Sequence, residues 1–194
     1  AERFDCLNYV DADKFQHGFD PDCEAYLFVG RLSPEKGCDL FCEAASRAGV
    51  DAIVIGDGTE LKRLSDSYPD IKFMGALSHD EVLSVMGRSR AIVIPSVCRE
   101  TFGLVAYEAM IAAGLPCIVS DVGDAASFVR SKGLGEIFSA GSAESLSDAM
   151  VNMLDPDVCS RYRKAVEKAD FSCLEKTAYV ERLISIYDQL IAEH

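Results

Sequence analysis

The stretch AIVIPSVCRETFGLVAYEAMIAAGLPCIVS, residues 91–120, decides the fold. It opens on an apolar run from Ala91 to Ile94 with no alternation of apolar and polar residues, and Pro95 stops it. It closes on a second such run, Pro116–Ser120. Between them Phe102–Ala113 has helical spacing and ends at Gly114. Continuous apolar strands are buried on both faces of a parallel sheet, and parallel neighbours are joined by a crossover helix. Residues 91–120 therefore predict one strand–helix–strand unit.

Outward from this unit the pattern repeats. Strands are predicted at Tyr26–Arg31, Ala52–Gly56, Ile71–Met74, Ala91–Pro95, Pro116–Ser120 and Glu136–Ser139. Helical spacing marks Cys38–Ala48, Glu60–Ser67, His79–Met86, Phe102–Ala113, Ala125–Ser131 and Ser142–Leu154. Ser78 with Glu81 reads as a capping box, Ser142 as a helix start, and Gly49 and Gly114 as helix stops. Two further helices, Asp157–Ala169 and Cys173–Ala192, follow with no strand between them. The predicted fold class is α/β: a doubly wound parallel sheet of about six strands, helices on both faces, and added C-terminal helices. Residues 1–24 lack periodicity and hold Gly18, Pro21 and five aspartates, the composition of a linker.

With 194 residues, 49% hydrophobic and 26% charged, the chain is predicted to fold as one globular domain with some residues left for linkers. Lys plus Arg is 19 and Asp plus Glu 32, a net charge of −13. So acidic a chain is poorly suited to wrapping a phosphate backbone, and no nucleic-acid partner is expected. No apolar run reaches the ~18 residues of a membrane span. The start, Ala1 to Asp5, resembles no secretory signal and lacks an initiator Met, so a soluble, trimmed or mature fragment is expected. Cysteines 6, 23, 38, 42, 98, 117, 159 and 173 are scattered, several within apolar segments, which favours reduced, buried thiols over a disulfide framework. Cys38 and Cys42 could form half a metal site, but no second pair completes it. His17, His79 and His194 are isolated in sequence.

In an open parallel sheet, ligands bind beyond the carboxyl ends of the strands, where strand order reverses. After the first strand comes Gly30-Arg31-Leu32-Ser33-Pro34-Glu35-Lys36-Gly37, which can bring an Arg fork and a Lys charge onto one anionic group. Taken alone it is equally a solvated basic loop. After the second strand, Gly56-Asp57-Gly58-Thr59-Glu60 matches a dinucleotide fingerprint only in part, and a tight turn is the stronger reading, with amides still able to face a ligand. After the fourth strand, Glu100 precedes a helix and Glu108 lies on it, while the amides of Phe102, Gly103 and Leu104 form a helix N-terminus suited to an anion such as phosphate. Two acids near an anion site are compatible with it if they accept hydrogen bonds from the hydroxyls of an attached sugar or ribose. Otherwise Glu100 is a cap and Glu108 an exposed helix residue, a reading that the apolar run Ala109–Ala113 weakens.

These residues resemble the C-terminal, donor-binding half of retaining glycosyltransferases of the GT-B fold, family four. The likeness runs in order and spacing from Tyr26 to about Leu154: Gly-Arg-Leu-Ser-Pro-Glu-Lys-Gly at 30–37, Ile-Gly-Asp-Gly-Thr-Glu-Leu at 55–61, Phe-Met-Gly-Ala-Leu at 73–77, Glu-x7-Glu at 100–108, and Ala-Gly-Leu-Pro-Cys-Ile-Val-Ser-Asp-Val-Gly at 113–123. Residues 8–15 resemble the family's interdomain segment, and Phe171-Ser172-Cys173 its aromatic-Ser-Trp, with Cys in place of Trp. Asp124 stands where the family usually has a second Gly, and Ser127 near its usual Glu.

The resemblance implies a Rossmann-like, nucleotide-sugar-binding domain over residues 25–170, with a helix at 171–194 that packs on an N-terminal domain absent from this chain. Arg31 and Lys36 would hold the diphosphate and stabilise it as leaving group. Glu100 would take the transferred sugar's hydroxyls and Glu108 the ribose. Gly30, Gly56, Gly58 and the amides of Phe102, Gly103 and Leu104 would line the donor, with the base near Met74 and Leu77. No metal or other cofactor is implied. The parent protein would move a sugar from a nucleotide diphosphate to a sugar or lipid-linked acceptor, in the cytoplasm or peripheral to a membrane, and this fragment alone would be inactive. A non-catalytic nucleotide-diphosphate-binding module is the alternative. A receiver-like signalling domain would need acids at the end of the first strand, where the sequence has Arg31.

Overall fold

A computed structural model describes residues 9–10, 24–98 and 103–192. Six parallel strands form one sheet: β1 (Tyr26–Val29), β2 (Ala52–Ile55), β3 (Lys72–Phe73), β4 (Ala91–Ile94), β5 (Cys117–Ser120) and β6 (Gly135–Phe138), in the order β3-β2-β1-β4-β5-β6. Tyr26 is in register with both Ala52 and Ala91, and Cys117 with both Ile92 and Gly135. β1 and β4 are spatial neighbours although three units separate them in sequence, so strand order reverses between them.

The helices are α1 (Cys38–Ala48), α2 (Leu61–Ser67), α3 (His79–Met86), α4 (Leu104–Ala113), α5 (Asp124–Lys132), α6 (Ala143–Asn152), α7 (Pro156–Lys168) and α8 (Lys176–Ala192). Two cores lie on opposite faces of the sheet. One joins Phe41 and Cys42 of α1, Leu64 of α2 and Leu146 and Met150 of α6. The other joins Leu83 and Met86 of α3, Tyr107 and Met110 of α4 and Val129 of α5. This is the doubly wound arrangement predicted from the apolar runs. Its consequence for function is that α1 leaves β1 toward one face and α4 leaves β4 toward the other, opening a crevice between their connecting loops.

α1 and α3 have the predicted bounds, and the Ser78–Glu81 capping box forms. Gly49 and Gly114 end α1 and α4 as left-handed caps. The other elements start or end one to three residues from the predicted positions, and three of these differences bear on the architecture. β3 is only Lys72–Phe73, an edge strand paired with Ile53 and Val54 of β2. α4 begins at Leu104 instead of Phe102, because Gly103 adopts a left-handed φ of 63° and serves as its N-cap. A 3₁₀ turn, Ser172–Leu174, replaces the expected first turn of the last helix.

α7 is bound to the sheet's amino edge, far from the crevice: the Arg163 Nη2 donates to the Arg90 carbonyl at 3.1 Å, and Arg90 Nη1 to the Met153 carbonyl at 3.2 Å. The two chain segments flanking the domain meet where Val10 N donates to the Leu174 carbonyl at 2.9 Å and Tyr9 packs on Tyr179. α8 itself buries no residue. Cys38, Cys42, Cys117 and Cys159 are buried free thiols, whereas Cys98 and Cys173 are exposed, against the expectation of buried ones; Cys6 and Cys23 lie outside the described residues.

Candidate functional site

The loops at the carboxyl edge of the sheet are stitched to one another in spatial order. Gly56 N donates to the Gly75 carbonyl at 2.8 Å, joining the exits of β2 and β3. Gly30 N donates to Ile55 O at 3.0 Å, Leu32 N to Asp57 O at 2.9 Å, and Glu60 N to Leu32 O at 3.2 Å, joining β1 to β2. Across the crevice, Val97 N donates to the Glu35 carbonyl at 3.1 Å, and Ser120 Oγ to the Ser96 carbonyl at 2.8 Å. Five strand exits thus form one continuous rim.

The glycines make this closeness possible. At Gly56, with φ +139°, a Cβ would stand 1.9 Å from the Gly30 oxygen, and at Gly37, with φ +69°, 2.0 Å from the Pro95 oxygen. Gly58 is pressed against Leu32 in the same way, a Cβ there meeting its oxygen at 2.3 Å. Gly37, Gly56 and Gly58 therefore have a packing reason to be glycine, independent of any ligand, whereas a Cβ at Gly30 would make only ordinary contact with the Phe28 ring at 3.5 Å.

Arg31 precedes and Lys36 ends the 3₁₀ turn Pro34–Lys36, which is bonded to the loop leaving β4. Arg31 is exposed and Lys36 half-buried. Both cations act on one carboxylate: Glu35 accepts a 2.7 Å bond from Ser33 Oγ, and that bond, helped by the charges of Arg31 and Lys36, holds its carboxyl below the ordinary range. Both cations thus lie on the loop leaving β1, which the Val97–Glu35 bond joins to the loop leaving β4.

On the other side, Gly103 and Leu104 begin α4, and Glu108 lies half-buried one turn on. The helix start two residues later than expected moves the first-turn amides to Leu104 and Val105. Glu100 and Phe102 lie outside the described residues. Met74 and Leu77, leaving β3, are half-buried against the α3–α4 core. Burial pushes the Glu108 carboxyl up, and the charge of His79, the first residue of α3, partly offsets this. That proximity was invisible in the sequence, where His79 is isolated; it arises because α3 packs on α4.

A carboxyl whose folded-state pKa is raised favours folding only while it is protonated, and that contribution is lost as pH rises through the folded value. Glu108→Gln is therefore expected to melt above the parent at pH 7, with the two converging once pH falls below the ordinary Glu value of about 4.3. Thermal unfolding at both pH values checks this, and coincident melting at pH 7 would refute it. A group kept charged at a cost to stability is one that function can account for.

Among the described residues no group of three His, Cys, Asp or Glu side chains gathers as a metal site, and no helix is long and apolar enough to cross a membrane.

A doubly wound sheet whose β1 and β4 exit loops are hydrogen-bonded at the point of strand reversal defines an α/β protein of the class that binds ligands beyond the carboxyl ends of its strands. The chain belongs to the glycosyl transferases group 1 family, whose family model matches residues 10–170. It is 33% identical over 128 residues to a GDP-mannose-dependent alpha-mannosyltransferase of Mycobacterium tuberculosis, covering 66% of this chain and 33% of that protein. It is 29% identical to a D-inositol 3-phosphate glycosyltransferase of Mycobacteroides abscessus, covering 94% of this chain and 43% of that protein. The crystal structure of Anabaena HepE in complex with UDP shares the fold, with a TM-score of 0.74 at 19% identity, over 96% of this chain and 57% of that one. The architecture is that of GT-B glycosyltransferase structures. The chain spans between a third and a half of the length of these curated relatives.

Proposed function

We propose that this chain is the donor-binding half of a retaining glycosyltransferase, which transfers a sugar from a nucleotide diphosphate to an acceptor bound largely by a separate N-terminal domain. The observation that supports the reading is the position of Arg31 and Lys36 at the strand reversal, on the β1 exit loop whose Glu35 carbonyl accepts from Val97 N of the β4 exit loop.

In this reading Arg31 and Lys36 grip the diphosphate and stabilise the negative charge that grows on it as the glycosidic bond breaks. The amides at the start of α4, Gly103 and Leu104 among them, with Phe102 before them, add fixed dipoles to the same end. Fixed cations and amides of this kind can carry the leaving-group charge without a metal ion. Glu108 accepts the ribose hydroxyls and is kept ionised with help from His79; Glu100 accepts hydroxyls of the transferred sugar. Met74 and Leu77 offer an apolar edge to the base, while Gly30, Gly56 and Gly58 let the rim approach the donor closely.

α8 supports the two-domain part of the reading. Val180, Ile184, Tyr187 and Ile191 follow helical spacing along one stripe and are 44%, 54%, 61% and 73% exposed, an apolar face suited to packing on another domain. Residues 1–24 would then be the interdomain linker and 171–194 the returning helix. The full protein would work in the cytoplasm or at a membrane surface, and this fragment alone would bind donor without turnover.

A thermal-shift panel of UDP-, GDP- and ADP-sugars tests the reading: one donor should raise the melting temperature above the rest. No shift with any of them would overturn it. Donor-dependent glycoside formation by the full-length protein separates the transferase from a non-catalytic nucleotide-diphosphate-binding module, which would bind without transfer.

A further inference from the structure

Beside the crevice, at the exits of β4 and β5, lies a narrow cavity of about 10 Å³, the room of one water, lined by Ile94, Ser96, Val119, Ser120, Gly123 and Asp124 among others. Three of these carry polar side chains. Ser96 and Ser120 are buried, and the Ser120 hydroxyl is fixed by its bond to the Ser96 carbonyl. Gly123, with φ 90° and ψ 179°, turns the chain so that Asp124 becomes the first residue of α5, half-buried at the cavity wall. Phe128 of α5, the helix that Asp124 opens, packs edge-on against Tyr107 of α4 at 5.0 Å between ring centroids, so α5 lies against the helix proposed to hold the ribose.

The order of the rim gives the cavity a place in the proposed donor site. From β3 to β5 is four strand spacings, roughly 19 Å. In the donor reading the base would lie at the β3 exit, the diphosphate at the β1 exit and the start of α4, and the sugar beyond them, toward β4 and β5. The cavity is too small for a sugar ring and fits a single hydroxyl. A carboxylate has about four acceptor positions, so a bond that Asp124 already makes leaves room for another.

We propose that Asp124 is a specificity-determining residue, and that its carboxylate, with Ser96 and Ser120 beside it, receives one hydroxyl of the transferred sugar. The inference rests on the donor reading above and deepens it. Glycine at this position, the residue usual in the sequence pattern this chain resembles, would leave the cavity without its acceptor.

Calorimetry of this chain, Asp124→Gly and Asp124→Asn with UDP, UDP-glucose, UDP-galactose, UDP-N-acetylglucosamine, GDP and GDP-mannose is the test. In the parent, the preferred nucleotide sugar should bind more tightly than its nucleoside diphosphate. In both variants that gain should fall about tenfold, the size of a charged hydrogen bond, with UDP or GDP alone unchanged. An undiminished gain in the variants, or a parent that binds nucleoside diphosphate but gains nothing from the sugar, overturns the subsite while leaving the donor site standing. Equal weakening of the bare nucleotide would show a structural role and overturn it also. If the parent binds no nucleotide at all, the donor reading fails and the subsite with it.

Discussion

Arg31→Ala combined with Lys36→Ala is expected to weaken binding of the preferred nucleoside diphosphate by between about tenfold and a hundredfold, or roughly 1.4 to 2.8 kcal/mol. Each side chain would lose a charge-assisted hydrogen bond to phosphate, normally worth more than an ordinary one. The exposure of Arg31 brings the sum below two full contributions, because solvent screens it. Calorimetry at two salt concentrations reads the effect, and the double variant should also show a shallower salt dependence than the parent. Its unfolding temperature should stay close to the parent's, which separates lost binding from lost structure. Unchanged affinity would remove the diphosphate from this loop.

Gly56→Ala should be the most damaging single methyl on the rim. The added carbon would stand 1.9 Å from the Gly30 oxygen, and that oxygen belongs to backbone that has no rotamer with which to yield. Gly37→Ala meets the Pro95 oxygen at 2.0 Å, with a φ of +69° that disfavours any side chain. A loss of about 4 kcal/mol is expected for either, at the high end for point substitutions. In a chain this long it lowers the melting temperature by roughly 8 to 16 °C. Gly114→Ala is the control: its φ is +61°, but a Cβ there meets nothing within 4 Å, so it bears only the backbone strain of about 1–2 kcal/mol. Thermal unfolding of the three variants should rank Gly114→Ala well above the other two. If all three melt together, backbone crowding is not what reserves the rim positions for glycine.

The same crowding changes how the motif glycines are understood. Read along the chain, Gly56-Asp57-Gly58 is a turn with amides that could face a ligand. In three dimensions both glycines lie against the β1 loop, which they hold in place. Their contribution to the proposed donor site is to fix the loop carrying Arg31 and Lys36 in position.

Much of the fold was legible because it depends on local alternation. The apolar runs of β1, β2, β4 and β5 are continuous because both faces of those strands are covered, and the helical spacing of α1 and α3 repeats each turn whatever lies across from it. Short edge elements were harder to place. β3 shrinks to Lys72–Phe73, the two residues that find partners on β2, and the start of α4 depends on the backbone conformation of Gly103.

The order of residues along the chain is enough to read the strand and helix units, their winding into a parallel sheet, and the place of Arg31, Lys36 and Glu108 in loops and helices at the carboxyl edge. Three-dimensional packing alone sets β1 beside β4, brings the charge of His79 to bear on Glu108, and gathers Asp124 with two buried serines around one cavity. Periodicity records which way a residue faces its own element. Contacts between elements far apart in the chain depend on strand order and helix packing, which no local repeat encodes.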